Sequence, residues 1–221
     1  MEKREPVTAA DLDTVIDHLL DTLRPVSTQD WSVPAGTLDW SCWETGEHLG
    51  QALTHWASQL TLRATTRYVR WAARAQEGAP PDGVLDFVEA GGRLLAVVVR
   101  SAPPSARAFH PMGVTDPEGF AGMACIEAIA HGHDIATGLG RSLNPPTGLC
   151  DRVLRRMFPH HAEVEAEPWP KLLWSTGRGD LPGHERPEDW RWRGQPLDEP
   201  WEPHPTPDPI PFAHLLQSGG A

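Results

Sequence analysis

The sequence predicts an all-α fold, a bundle of four long helices followed by a proline- and tryptophan-rich tail. Three observations predict it. Apolar residues recur at helical spacing in four separate segments, and stretches rich in Pro and Gly break the chain between them. Runs of period-two alternation are too few to build a sheet, which leaves a helical bundle as the economical way to bury the apolar stripes.

The first helix is expected from Thr8 to about Leu23. Thr8 is a suitable N-cap and Asp11 suits the first turn; Leu12, Val15, Ile16, Leu19, Leu20 and Leu23 form one apolar stripe, and Pro25 ends it. A loop with a tryptophan at each end, DWSVPAGTLDW, follows. Ser41-Cys-Trp-Glu44 has the form of a capping box and opens a second helix, with His48 about two turns in. That helix is expected to run to about Ala75, with Thr61, Thr65 and Thr66 as a weak point, before EGAPPDG breaks it. A third helix spans about Pro81 to Ser101 on the spacing of Val84, Leu85, Val88, Leu95 and Val98, although Gly91-Gly92 is a poor helical pair. Asp116 followed by Pro117 marks the start of a fourth helix, which ends near Gly138-Leu-Gly140. A short fifth helix is expected from about Pro146 to Met157.

Residues 1–162 thus read as the bundle and 163–221 as an extension packed on it. Trp169, Trp174, Trp190, Trp192 and Trp201 lie in that extension, and five indoles imply an ordered, mostly irregular wrap rather than a linker. The last residues, HLLQSGGA, read as a frayed end or a short helical turn.

Composition narrows the function classes. Of 221 residues, 39% are hydrophobic and no apolar run approaches the roughly 18 residues of a membrane span. The opening MEKREPVTAADLD mixes charges and lacks the apolar centre of a signal peptide, so a cytoplasmic location is expected. The formal net charge of −11 argues against nucleic acid or an anionic membrane as partner, since both demand clustered basic residues. Cys42, Cys125 and Cys150 are an odd set without CxxC spacing, which suits buried hydrophobes better than a disulfide framework or a zinc knuckle. A homodimer is compatible with a bundle containing one long apolar helix, but no interface can be read.

The chemistry concentrates in the fourth helix. Glu127, His131 and Asp134 fall at i, i+4 and i+7 and share one face, whereas His133 points elsewhere. An i, i+4 Glu/His pair is often only a surface hydrogen bond. Here Met123, Ala124, Ile126, Ile129, Ala130 and Ile135 surround it, and a carboxylate in apolar surroundings requires a counter-charge or a metal. His48 on the second helix supplies a third donor, so His48, Glu127 and His131 are the expected metal ligands, with a coordination position left open for chemistry. Zinc suits one Glu and two His, although nickel, iron and manganese accept similar ligands. Asp134 is placed to orient a ligand from behind. His55, two turns from His48, is too far to share the metal but could line a pocket. His110, in the loop Phe109-His-Pro-Met112, could close over the site. Arg178 and Arg191 could meet an anionic substrate or the carboxylates of a thiol cofactor, with structural ion pairing as the plainer alternative.

A tryptophan, then Ser41-x-x-Glu44, then His48-Leu, and much later Glu127-x-x-x-His131-x-x-Asp134-Ile resembles the DinB-like superfamily, in particular the mycothiol-dependent maleylpyruvate isomerase N-terminal domain family. The later stretch LLWSTGRGDLPGHERPEDWRW is similar to segments of actinobacterial members. The resemblance implies a DinB-like four-helix bundle that binds a divalent metal, usually zinc, through His48, Glu127 and His131, with mycothiol as co-substrate. It implies an enzyme that activates this thiol for S-transfer to a small electrophile or for thiol-assisted isomerisation. The isomerase carries a further α/β domain that contributes to its active site, and no such pattern follows the bundle here, so transfer fits better than maleylpyruvate isomerisation. The other reading is a bundle that binds a metal or small ligand without turnover.

Overall fold

The computed structural model describes residues 4–188 and 190–201, so HLLQSGGA lies outside the described residues. Among these residues there are six α-helices and no strand: α1 (Ala9–Leu23), α2 (Cys42–Leu62), α3 (Pro81–Ser101), α4 (Pro117–Gly138), α5 (Thr147–Met157) and α6 (Pro168–Ser175). The first four pack as a bundle, with α2 along α3 and α4 against α1, α2 and α3; α5 lies on α4, and α6 on α5.

Local sequence fixes the helix starts. Thr8 caps α1 and Asp11 reaches back to the Thr8 amide at 2.8 Å, while Ser41 and Glu44 make the same reciprocal box at the start of α2. The Asp116 side chain accepts from the Gly119 amide at the start of α4. The expected stripe of α1, from Leu12 to Leu23, is buried throughout. The Gly91-Gly92 pair in α3 is a contact device: a Cβ on Gly92 would lie 2.6 Å from the Ile16 side chain, and one on Gly91 3.1 Å from Leu53 Cβ. Absent side chains let α3 approach α1 and α2 closely, which offsets their poor helix propensity.

One expectation is corrected. The second helix ends at Leu62, not near Ala75, because Arg63 takes the left-handed conformation (φ 51°) and turns the chain. The buried Gln59 side chain then holds the 64–69 segment, donating to Ala64 O and Arg67 O and accepting from the Val69 amide at 2.8–3.0 Å. The wrap also contains a helix, α6, whose Pro168 and Pro170 occupy its first turn, where no intrahelical N–H is needed.

The wrap is anchored by its indoles. Trp174 is buried and donates to Glu185 O at 2.8 Å, Trp192 is buried, and Trp201 stacks on His160. No helix among the described residues is long and apolar enough to cross a membrane.

Candidate metal centre and adjoining cavity

Of the 22 residues of α4, 16 are buried, so Glu127 and His131 project from the most enclosed helix of the bundle. Facing them on α2 is His48, placed two turns inside the capping box. One ligand atom from each of His48, Glu127 and His131 can be chosen so that all lie within 4.8 Å of one another. Glu127 Oε2 is 3.0 Å from His131 Nε2 and 3.7 Å from His48 Nε2. His133 is not part of this group and packs edge-on against Trp169.

The residues present fit a divalent cation. Glu127 Oε2 is buried without a partner in hydrogen-bond geometry among the described residues, although the Nε2 atoms of His131 and His48 face it, so donors of the kind that ligate metals converge without satisfying one another. Burial pushes the Glu127 carboxyl up, but His131 and His48 beside it prevail and hold it below the ordinary carboxylate range. Side-chain exposures of 20% for His48, 13% for Glu127 and 12% for His131 leave the group a path to solvent.

Asp134 sits behind His131, its Oδ2 3.4 Å from His131 Nδ1. Arg178 clasps the same carboxylate, with Nε at 2.9 Å and Nη2 at 2.9 Å from Oδ2. Arg178 therefore faces Asp134 rather than the cavity, the structural alternative weighed for it. The loop before α2 closes this side: Gly36 has a positive φ of 57°, and a Cβ there would lie 3.5 Å from Asp134 Cα. Trp40 packs on the His48 ring at 5.0 Å.

A cavity of about 100 Å³ adjoins the triad, lined by His48, Gln51, Ala52, Trp56, Tyr68, His110, Pro111, Met112, Glu127 and Trp192. His110 is thus in the wall. Its Nδ1 accepts from the Met112 amide at 3.1 Å, which requires the neutral ring, and burial pushes its pKa down to about 3. His55 does not line this cavity. It is buried edge-on to Tyr68, and burial lowers its pKa to about 4. Tyr68, Phe109 and His110 form a ring cluster, and His110 meets Trp192 at 5.6 Å. The cysteines are fully buried, and burial raises the Cys42 thiol to about 11 and the Cys150 thiol to about 12.

Sequence reasoning missed Gln51, Trp56, Tyr68 and Trp192. Gln51 had a signal, being one helical turn from His48. Tyr68 and Trp192 reach the cavity on irregular chain, for which no periodicity exists.

A helical bundle with two imidazoles and a carboxylate converging beside an apolar cavity has the form of a DinB-like protein. The chain belongs to the mycothiol maleylpyruvate isomerase N-terminal domain family, whose model matches residues 12–136, more than half of the sequence. No curated protein and no solved structure matches it. The family's name ties this bundle to mycothiol.

Proposed function

We propose that this protein is an enzyme that joins a low-molecular-weight thiol, with mycothiol as the favoured co-substrate, to a small electrophile. The observation that carries this reading is the convergence of His48, Glu127 and His131 beside a ready-made apolar cavity. These three residues would hold a divalent cation, zinc by the chemistry of the donors. Bound there, the cation would stabilise a thiolate near neutral pH, as metal ions do for coordinated thiols.

The chain's own residues would do the rest. Asp134, backed by Arg178, orients the His131 ring. Trp56, Tyr68, His110 and Trp192 exclude water from the place where the electrophile sits. In the reaction the thiol sulfur bonds to the electrophilic carbon, and the thiol proton passes to the displaced group or to the adduct. The protein's cysteines play no nucleophilic part in this reading, because burial keeps their thiols protonated at neutral pH.

The test begins with protein purified without a histidine tag. Metal analysis should find about one zinc per chain, lost in His131→Ala. Incubation of the loaded protein with mycothiol and a bimane electrophile should then give the S-conjugate faster than the uncatalysed reaction. A wild-type protein that takes up no metal on reconstitution would remove the basis of the proposal.

A further inference from the structure

Two buried glutamines on α2 behave differently. Gln59, at 0% exposure, has its carboxamide fully engaged by the 64–69 segment. Gln51, at 2% exposure, has neither its carboxamide oxygen nor its nitrogen bonded to anything among the described residues. A buried carboxamide without partners costs stability, and nearly all such groups in folded proteins are satisfied. Gln51 is a cavity residue, one turn from His48. A second wall residue, Trp192, holds an indole N–H that is likewise buried and unpartnered.

The rest of the wall restricts the occupant. Among the described residues no Lys or Arg lines the cavity, and Glu127, beside the imidazoles, is its one carboxylate. Ala52, Trp56, Pro111 and Met112 offer apolar contact. The volume of about 100 Å³ is below the ~150 Å³ that accommodates benzene in an engineered core cavity, so the inserted group is compact. A carbonyl oxygen has two lone pairs and accepts from an amide or an indole N–H, the two kinds of donor this wall offers.

We infer that this cavity binds a compact, uncharged, largely apolar carbonyl compound, with the Gln51 carboxamide as its hydrogen-bond partner. This rests on the thiol-transfer reading, for which it names the class of electrophile, and it sets aside small dicarboxylates as the occupant. The divalent cation of that reading would already be neutralised by the Glu127 carboxylate and the thiolate, so an entering anion would find no charge left to compensate its desolvation. The neutral His110 ring adds no counter-charge.

The test uses the chain's single tyrosine, which lies in the wall. Protein labelled with ¹³C-tyrosine gives one ring signal to follow during titration with cyclopentanone, with methylenecyclopentane, which has the same shape without the carbonyl oxygen, and with maleate. Each titration is run on chelator-treated and on zinc-loaded protein. Cyclopentanone should shift the signal saturably and bind more tightly than methylenecyclopentane, while maleate should not shift it in either form. Gln51→Leu should weaken cyclopentanone binding about tenfold, the usual effect of losing one buried hydrogen bond, and leave methylenecyclopentane unchanged. Trp192→Phe removes the other donor and serves the same comparison should Gln51→Leu fail to fold. Saturable maleate binding in either form, or equal binding of the two cyclic probes, would overturn the assignment; so would unaltered cyclopentanone affinity in Gln51→Leu, which would mean that the amide is met by water alone. Zinc stoichiometry, measured separately, keeps the two claims apart: probe binding without zinc uptake retains the cavity and removes thiol activation, and the converse removes only the cavity assignment.

Discussion

Asp134 Oδ2 stands 3.4 Å from His131 Nδ1, on the side of the imidazole opposite Glu127. Under the proposed function this carboxylate would favour the tautomer that leaves Nε2 to ligate. Partners of this kind are worth about 10- to 100-fold in metal affinity. Asp134→Ala should therefore weaken zinc binding by that factor in competition with a chromophoric chelator, while His131→Ala abolishes it. Zinc affinity unchanged in Asp134→Ala would show that the carboxylate serves only to pair with Arg178.

The contrast between this relay and the cavity shows what a sequence can carry. Glu127, His131 and Asp134 share a helix, so their spacing alone brings them to one face, and the capping box at Ser41 sets the depth of His48. The end of α2 was not legible. Helical propensity continues past Leu62, and it is the left-handed Arg63 together with the Gln59 side chain, a tertiary arrangement, that turns the chain. Tyr68 owes its place in the wall to that turn. Trp192 arrives from a segment whose composition announces burial but not a destination, and α6 lies hidden under its prolines.

Arg156 is the joint between bundle and wrap. Its side chain is fully buried, donating to Asp116 Oδ1 at 2.7 Å, Arg193 O at 3.1 Å and Gly194 O at 3.2 Å. One guanidinium thus ties the cap of α4 to the residues just after Trp192. Arg156→Ala takes the side-chain donor from Arg193 O and the charged partner from Asp116, whose Oδ1 keeps only the Gly119 amide, and should cost about 3 kcal/mol or more. Chemical denaturation measures the loss, and limited proteolysis should cut near residues 193–194 before the bundle is attacked. Identical cleavage patterns for variant and wild type would show that the wrap is held by its indoles alone.

Asp11 gives the stability a pH dependence. Burial pushes its carboxyl up, but Arg152, the Thr8 amide and the Thr8 hydroxyl more than offset this and hold it below the usual range. A depressed folded-state pKa means the contribution is present above the unfolded value of about 3.9 and is lost as pH falls through the folded value. Asp11→Asn keeps an acceptor for the Thr8 amide but loses the charge. With the pair partly solvated, the variant should be less stable by about 1 kcal/mol at neutral pH, a gap that closes below about pH 4. A gap that persists in acid would assign the effect to packing.

Gly138 ends α4 against the loop that covers Asp134, behind the candidate site. A Cβ there would lie 2.3 Å from Pro34 O, 2.9 Å from Cys42 Sγ and 3.2 Å from Ala35 Cα. Two of these neighbours are backbone, and the loop is pinned by the hydrogen bonds Ala35 N to Trp40 O and Cys42 N to Val33 O, both 2.9 Å, so it cannot yield cheaply. On an open helix, Gly→Ala stabilises by about 1 kcal/mol. At this position the sign should invert, with Gly138→Ala costing about 1–3 kcal/mol as the loop is displaced. Because the same loop places Gly36 over Asp134, the displacement should also weaken zinc binding, though no ligand has changed. Thermal denaturation and the chelator competition would read the two effects on one sample, and a variant as stable as the wild type with unaltered zinc affinity would show that the loop is free to move.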